Sequence, residues 1–122
     1  MGASGQAIEE VKKVALDYME GYFTGDAERV GRAFHPDLCK RYIKDNEITQ
    51  LSYETMLEYT RSGRGVNAGK ETKKLEVEVL DIRENIASVI IKSKFIDYLQ
   101  MAVINNRWYI INILWDFNKD NV

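Results

Sequence analysis

The sequence predicts an α+β domain, with helices collected in the first half of the chain and antiparallel strands in the second. Three observations support this fold class. Apolar residues recur at helical spacing near the N-terminus, the period changes to two from Thr72 onward, and two long hairpins then follow in succession. Helices followed by consecutive strands are typical of a sheet that is covered on one face by helices.

Length and charge exclude several classes of protein. We expect one domain over residues 1-122, with residues 1-6 flexible. A net charge of -2 gives no electrostatic basis for binding nucleic acid or an anionic membrane. The single cysteine, Cys39, excludes an internal disulfide, as is usual in a reducing compartment. Because no secretory or membrane-spanning segment is recognisable, we expect a cytoplasmic protein, and no pattern indicates a metal or cofactor.

The first half of the chain predicts three helices. Gly25 is a candidate stop for the first helix, Asp26 a candidate N-cap for the second, and Pro36 is expected to end the second helix near His35. Ser52 is a candidate N-cap for the third helix. The apolar stripe of the first helix consists of Ile8, Val11, Ala15, Tyr18, Met19 and Tyr22.

The segments between and after these helices predict turns and strands. Cys39 to Ile43 and Glu47 to Leu51 could form a short hairpin about Asp45-Asn46. Ser62 to Gly69 holds three glycines and is expected to be a mobile loop. A strand that starts near Thr72 is expected to turn at Glu84-Asn85 into a second strand.

The stretch from Phe95 to Trp115 predicts a second hairpin, with Asn105-Asn106 as a two-residue turn. Regular alternation from this turn would pair Leu99 with Asn112 and Asp97 with Leu114. Both faces of such a hairpin are apolar, so one face must meet the helices and the other a second surface. We therefore expect a homodimer through the outer face, using Tyr98, Tyr109, Ile111, Ile113 and Trp115.

The face that meets the helices carries two polar residues, Asp97 and Asn112, among apolar neighbours. An unpaired buried carboxylate is costly and has a raised pKa. These groups therefore either bond to each other and to a helix, which is a purely structural role, or line a cavity.

The order of elements and the motifs GYFTGD, AFHPD, FIDYL and RWYIINILW resemble the putative lumazine-binding family of the nuclear transport factor 2-like superfamily. The resemblance extends from about Ile8 to Trp115. It implies a cone-shaped fold in which three N-terminal helices pack in the concave face of a curved antiparallel sheet, with a pocket at the open end and dimers through the outer sheet face. The superfamily also includes ketosteroid-isomerase-like and polyketide-cyclase-like enzymes and non-catalytic association domains, so the fold alone does not choose an activity.

Three residues are candidates for catalysis: Asp97, His35 and Tyr18. His35 could act as a general base, although a structural role at the end of a helix with Asp37 is the more common one. Tyr18 and Asp97 could donate hydrogen bonds to an oxyanion, as in isomerase-like sites, but the base is missing unless Asp37 lies opposite. The candidate pocket residues are Tyr18, Tyr22, Tyr59, Asp97, Leu99, Trp108 and Asn112.

Three functions stay open at this point. The first is a small-molecule-binding domain for an aromatic or heterocyclic ligand, since tyrosine rings with a polar tip suit such molecules. The second is a non-catalytic dimeric association module with a filled interior. The third is an isomerase-like or cyclase-like enzyme that uses acid–base chemistry. Arg61 and Arg64 lie beside flexible glycines and could close over an anionic ligand, although solvated loop charges are the commoner case.

Overall fold

The computed structural model describes residues 5–121 and folds them into helices packed on a curved, mostly antiparallel six-stranded sheet. The predicted α+β class is confirmed. The helices are α1 (Gly5–Thr24), α2 (Ala27–Ala33), α3 (Tyr53–Arg61) and α4 (Val66–Glu71). The strands are β1 (Phe34–Lys44), β2 (Glu47–Ser52), β3 (Glu76–Ile82), β4 (Ile86–Lys92), β5 (Phe95–Ile104) and β6 (Arg107–Phe117).

The strands follow the order β2-β1-β6-β5-β4-β3 across the sheet. Four neighbouring pairs are antiparallel, and β1 lies parallel to β6 at the junction of two antiparallel groups. This junction places a strand from the first half of the chain beside the last strand. On the inner face of the sheet, α1 therefore packs against β6, and its Tyr18 contacts Lys40 of β1 and Asp97 of β5.

The joint between α1 and α2 has the predicted chemistry. Gly25 adopts a left-handed φ of 74°, and the side chain of Asp26 accepts a hydrogen bond from the Arg29 amide. However, α2 ends at Ala33 rather than near His35, and Phe34 is already extended. The residue before a proline is disfavoured in a helix, and pairing of Phe34 with Ile110 extends the strand one residue further back.

The glycine-rich segment 62–69 is not the loop that we expected, because α4 begins within it at Val66. Its glycines permit close packing against α1. A Cβ atom at Gly65 would lie 2.5 Å from the carbonyl oxygen of Tyr22, and one at Gly69 would lie 2.7 Å from the Cβ of Phe23. Residues 5–121 therefore form four helices, whereas the sequence predicted three. Of the residues expected to be flexible, Gly5 and Gln6 are helical, and residues 1–4 lie outside the described part.

All three predicted hairpin turns are present. The turn at Glu84-Asn85 joins β3 to β4, although β3 starts at Glu76 rather than near Thr72. Asp45 and Asn46 join β1 to β2, and Asn105 and Asn106 join β5 to β6, each pair with φ of 52° and 64°. Positive φ at both central residues is the geometry of the turn that favours asparagine in tight hairpins. The N-cap role of Ser52 is also confirmed, since its side chain accepts a hydrogen bond from the Thr55 amide.

A β-bulge in β6 changes the register that regular alternation predicts. Met101 pairs with Ile110, but Gln100 pairs with Asn112, so Ile111 is an extra residue on β6. Beyond the bulge Leu99 faces Ile113 and Asp97 faces Trp115, and the expected pairs Leu99–Asn112 and Asp97–Leu114 are wrong. A one-residue slip moves every later side chain of the strand to the opposite face.

The bulge corrects three of the predicted positions. Asn112 lies on the outer face, where its amide donates to the side-chain oxygen of Gln100, so it does not line an inner pocket. Ile113 is buried in the core and Trp115 lies on the inner face, so neither belongs to the outer surface. Leu114 takes their place outside, with half of its surface exposed.

Candidate functional site

Three polar side chains form a buried hydrogen-bonded chain between α1, β1 and β5. The Tyr18 hydroxyl donates to Oδ2 of Asp97 at 2.8 Å, and the Lys40 ammonium donates to the Tyr18 hydroxyl oxygen at 2.7 Å. Relative exposure is 0% for Tyr18, 1% for Asp97 and 6% for Lys40. Lys40 thus reaches the carboxylate through the tyrosine hydroxyl.

Each member of this chain, called here the Lys40–Tyr18–Asp97 relay, is positioned by the periodicity of its own element. Tyr18 lies on the apolar stripe of α1 with the buried Val11 and Ala15. Asp97 takes the same face of β5 as the buried Leu99. Lys40 likewise alternates inward on β1, two residues after the buried Leu38.

Burial dominates the electrostatics of the relay. Desolvation raises the pKa of the Asp97 carboxyl above 3.8, although Lys40 and the hydrogen bond from Tyr18 oppose this shift. Desolvation lowers the pKa of Lys40 below 10.5, opposed by Asp97. Desolvation and the neighbouring Asp97 raise the pKa of Tyr18 well above 10.0, so its hydroxyl keeps its proton. Both charged members are pushed towards their neutral forms.

Three aromatic rings surround the Lys40 ammonium. Its nitrogen lies 5.1 Å from the ring centre of Tyr18, 5.3 Å from that of Tyr22 and 5.5 Å from that of Trp115. Such cation–π contacts partly compensate for the lost hydration of an ammonium group. They also hold the side chain of Lys40 in a fixed position.

Lys40 also forms part of the wall of an open pocket of about 480 Å³. This volume is within the range of ordinary small-molecule sites. Ile43 and Phe117, which are 58% and 60% exposed, lie at the solvent side of the pocket. The lining residues are Tyr22, Lys40, Tyr42, Ile43, Lys44, Leu51, Met56, Tyr59, Arg64, Phe95, Trp115 and Phe117.

The charged residues of this wall are all cationic. Arg64 stacks on the ring of Tyr59, with its guanidinium carbon 3.8 Å from the ring centre, and Lys44 is exposed at the end of β1. No aspartate or glutamate is present among the described lining residues. The pocket therefore combines aromatic surfaces with positive charge, a composition suited to an aromatic anion.

Four of the predicted pocket residues lie at or next to this cavity. Tyr22 and Tyr59 line it, and Tyr18 and Asp97 lie directly behind Lys40. Leu99 and Trp108 belong to the core and are absent from the lining, and Asn112 points outward. Trp115, which we expected at the outer face, is instead part of the pocket wall.

His35 and Asp37 do not join the candidate site. His35 lies in β1, its Nδ1 accepts a hydrogen bond from the Asp37 amide at 3.0 Å, and its ring packs edge-on against Tyr109 on the outer side of the sheet. The Asp37 side chain is 92% exposed. The structure therefore does not bring a base at Asp37 opposite Asp97, and the expected cap at the end of α2 is a local turn within a strand.

Lys40 is the member of the relay that sequence reasoning missed. It lies in a segment of weak alternation, where a lysine is usually solvated, and its burial depends on the parallel contact of β1 with β6. Two buried atoms in this region have no hydrogen-bond partner within residues 5–121, Oδ1 of Asp97 and Nε1 of Trp115. Both belong to side chains that contact or electrostatically influence Lys40.

The described part holds neither a cluster of metal-binding side chains nor a membrane-spanning helix. No three His, Cys, Asp or Glu side chains in that range are grouped as metal ligands would be. No helix in it has the length and apolar composition that crossing a bilayer requires.

Comparison with known proteins places the chain in a family. The sequence profile described as "Putative lumazine-binding" matches residues 6–116. The chain belongs to this family. No curated protein matches the sequence.

Solved structures show the same fold as this family member. An NTF2-like protein of unknown function from Shewanella baltica OS155 is 14% identical with a TM-score of 0.78, covering 98% of this chain and 100% of its own. A second, from Silicibacter pomeroyi DSS-3, is 13% identical with a TM-score of 0.75 and covers 95% and 99%. A third, from Methylobacillus flagellatus KT, is 18% identical with a TM-score of 0.73 and covers 95% of both chains. These similarities establish a nuclear transport factor 2-like fold.

Proposed function

We propose that this protein binds a small aromatic or heterocyclic anion in the pocket between α1, α3 and the inner sheet face. The observation that carries the proposal is the wall composition: aromatic rings together with Lys40, Lys44 and Arg64 and no described carboxylate. The family description names lumazine, a planar heterocycle, which agrees with rings that stack on a flat ligand.

The positive charges of the pocket predict a preference for anionic over neutral ring compounds. Arg64 is exposed and stacked on Tyr59, so its guanidinium is held at the pocket wall. Its donors have no hydrogen-bond partner within residues 5–121 and can meet a carboxylate. Lys40 is at the floor and is anchored by the relay. An anionic ring compound would therefore gain both stacking and charge–charge contacts, whereas a neutral one would gain stacking only.

Isothermal titration with a matched pair of ligands tests the proposal. Lumazine-6-carboxylate and lumazine differ by one carboxylate, and we expect the carboxylate to bind roughly tenfold tighter, which corresponds to about 1.4 kcal/mol. A ligand at 100 times its Kd should also raise the free energy of unfolding by about 2.7 kcal/mol. Equal affinities would refute the anion preference, and no binding of either compound would refute the proposed ligand class.

Arg64→Gln locates the ligand in the pocket, and Arg61→Gln is its matched control. Both arginines lie at or just beyond the C-terminal end of α3, but Arg61 lines a separate groove with Tyr53 and Leu57. We expect Arg64→Gln to remove most of the difference between the two ligands and Arg61→Gln to preserve it. An equal effect of both substitutions would indicate unspecific charge attraction.

A second proposal, homodimer formation, is supported by the outer sheet face. Tyr98 and Leu114 are paired neighbours on β5 and β6, and each is half exposed, while Ile86 on β4 is 59% exposed. Of the residues first expected there, Tyr98, Tyr109 and Ile111 stay on this face. Exposed apolar side chains gathered on one sheet face are typical of an interface.

Light scattering coupled to size exclusion tests this second proposal. We expect a mass of two chains for the wild type and of one chain for Leu114→Lys. Leu80→Lys on the edge strand β3 is the control, because Leu80 is as exposed as Leu114 and β3 lies three strands away from β6. A wild-type monomer at micromolar concentration would contradict the dimer.

A further inference from the structure

We infer that Lys40 is a nucleophile that forms an imine with an aromatic aldehyde or ketone in the pocket, while Tyr18 and Asp97 take up the proton that its ammonium gives up. The inference rests on the proposed function, since the carbonyl compound must enter the same pocket. It adds a covalent reaction and a substrate class to the pocket, for which the family and the similar structures indicate no reaction.

The first support is the direction of the hydrogen bonds. The Lys40 ammonium donates to the Tyr18 oxygen at 2.7 Å, and the Tyr18 hydroxyl donates to Oδ2 of Asp97 at 2.8 Å. If each proton moves along its own bond, Lys40 becomes a neutral amine, Tyr18 is again a phenol and Asp97 becomes a carboxylic acid. The amine thereby gains the free electron pair that a nucleophile needs.

The second support is the environment, which favours this neutral arrangement. The transfer removes two opposite charges from a site where Lys40 and Asp97 are almost fully buried. The pKa of Lys40 is lowered and that of Asp97 is raised, both chiefly by burial, while the raised pKa of Tyr18 keeps it a phenol. Amines desolvated in an apolar pocket are the usual imine-forming lysines.

The third support is the position of Lys40 in the pocket wall. Its ammonium is fixed between the rings of Tyr22 and Trp115, and these same rings line the pocket in which a flat ligand would lie. Lys44, the other lining lysine, is exposed at the end of β1 and has no cation–π contact with these rings among the described residues. The charged or titratable groups around Lys40 are Tyr18 and Tyr22 on α1, Asp97 on β5, Tyr42 on β1, and Tyr59 and Arg64 at α3 and its end.

The reaction balances without a further reactant. The Lys40 nitrogen forms a bond to the carbonyl carbon, and the electron pair of the C=O bond moves to the oxygen, which takes a proton to give a carbinolamine. Loss of water then breaks the C–O bond and forms the C=N bond, the two amine hydrogens leaving with the carbonyl oxygen. The proton stored on Asp97 can return through Tyr18 to the imine nitrogen, and the resulting iminium regains a buried counter-ion.

Reductive trapping with 4-carboxybenzaldehyde tests the inference in the intact protein. This probe combines an aromatic ring, a carboxylate for Arg64 and an aldehyde. With cyanoborohydride we expect one carboxybenzyl group per chain by mass spectrometry, mapped by peptide analysis to Lys40. Lys40→Arg should abolish this adduct, and Lys70→Arg, at an exposed lysine of α4 outside the pocket lining, should retain it. An adduct spread over surface lysines, an adduct mapped to Lys44, or no adduct would overturn the inference.

Peptide mapping of the wild type decides the question even if Lys40→Arg does not fold. Tyr18→Phe then tests the relay, because it removes the hydroxyl but keeps the ring. We expect its trapping rate to fall at least tenfold at pH 7 and to recover at higher pH, where solvent removes the proton instead. An unchanged pH profile in a folded Tyr18→Phe would overturn the role of the relay.

A non-reactive ligand separates the two claims. Binding of 4-methylbenzoate requires the pocket but no carbonyl chemistry. If 4-methylbenzoate binds and the aldehyde leaves no adduct, imine formation is refuted and the proposed binding function stands. If neither compound interacts with the protein, both claims fail.

Discussion

Lys40 and Asp97 are a buried pair of opposite charges, and the Tyr18 hydroxyl is the only link between them that the described contacts contain. Removing one charge of such a pair leaves the other without compensation. A buried pair is therefore costly to break but not a strong reason for stability in itself. Its retention in the wall of a pocket is more easily understood as a functional feature than as a device that stabilises the fold.

A double-mutant cycle measures how strongly the two residues are coupled. We expect Lys40→Met and Asp97→Asn each to reduce the free energy of unfolding by about 2–4 kcal/mol, because each leaves a buried polar partner unbalanced. The double variant should lose clearly less than the sum, with a coupling of at least about 1 kcal/mol. Chemical denaturation gives all four values. Strictly additive losses would contradict the relay.

The pH dependence of stability tests the shifted pKa of Asp97. The unfolded carboxyl loses its proton near 3.8, whereas the folded one keeps it to higher pH. Between these two values the folded state binds more protons, so its stability falls as pH rises. We expect this decline above pH 3.8 to be absent in Asp97→Asn when the two proteins are compared by urea unfolding.

The opposite outcome has a clear meaning. If the wild type gained stability relative to Asp97→Asn as pH rose through this window, the folded pKa of Asp97 would be lowered. Lys40 and Tyr18 would then outweigh desolvation. The carboxylate would be a fixed counter-ion, and the proton transfer inferred above would lack its acceptor.

At the scale of single elements, the turns and the helix cap were predicted correctly from the sequence, and the register of the β5–β6 hairpin was predicted wrongly. Asn105-Asn106, Asp45-Asn46 and Ser52 act through local backbone chemistry, and each was correctly predicted. The bulge at Ile111 was not, because Ile110 and Ile111 are both apolar and nothing local distinguishes an extra residue from regular alternation. This single insertion moved Asn112 outside and Trp115 into the pocket.

Gly69 shows how a composition signal can be misinterpreted at this scale. The three glycines of segment 62–69 suggested a mobile loop, but Gly69 lies against Phe23 where α4 packs on α1. We expect Gly69→Ala to destabilise the protein by about 1–3 kcal/mol, because an added methyl group would overlap the Phe23 side chain and force α4 outward. Thermal unfolding measures this effect.

Gly5→Ala is the matched control for this change. A Cβ atom at Gly5 meets nothing within 4 Å, so the same methyl group there should leave stability within about 0.5 kcal/mol of the wild type or raise it slightly. Equal effects of the two substitutions would show that helix propensity, and not the contact with Phe23, determines the cost at Gly69.

At the scale of the whole molecule, the α+β class and the arrangement of helices on a sheet could be predicted because hydrophobic period and chain order determine them. The candidate site could be predicted only in part. Tyr22 and Tyr59 were found through their aromatic character, whereas Lys40 and Trp115 enter the site through the parallel contact of β1 with β6 and through the bulge. Both are tertiary features that no local pattern contains.

The two sheet faces also separate the two proposals for the whole molecule. The pocket lies on the inner side with Lys40, and the exposed apolar surface lies on the outer side with Tyr98 and Leu114. Ligand binding and self-association should therefore be independent. We expect Leu114→Lys to leave the affinity for lumazine-6-carboxylate within about twofold of the wild type, since no pocket residue is changed. Loss of binding in this variant would show that the pocket depends on the dimer.

The most direct measurement of the central claim uses Trp115 as a reporter in the pocket. The chain has two tryptophans, and Trp108→Phe leaves Trp115 as the only one. Titration of this variant with lumazine-6-carboxylate should quench its fluorescence with a saturable curve, and Arg64→Gln should shift that curve to higher concentration. A folded Trp108→Phe protein whose fluorescence shows no saturable change up to millimolar ligand would contradict the claim that this pocket binds an aromatic anion.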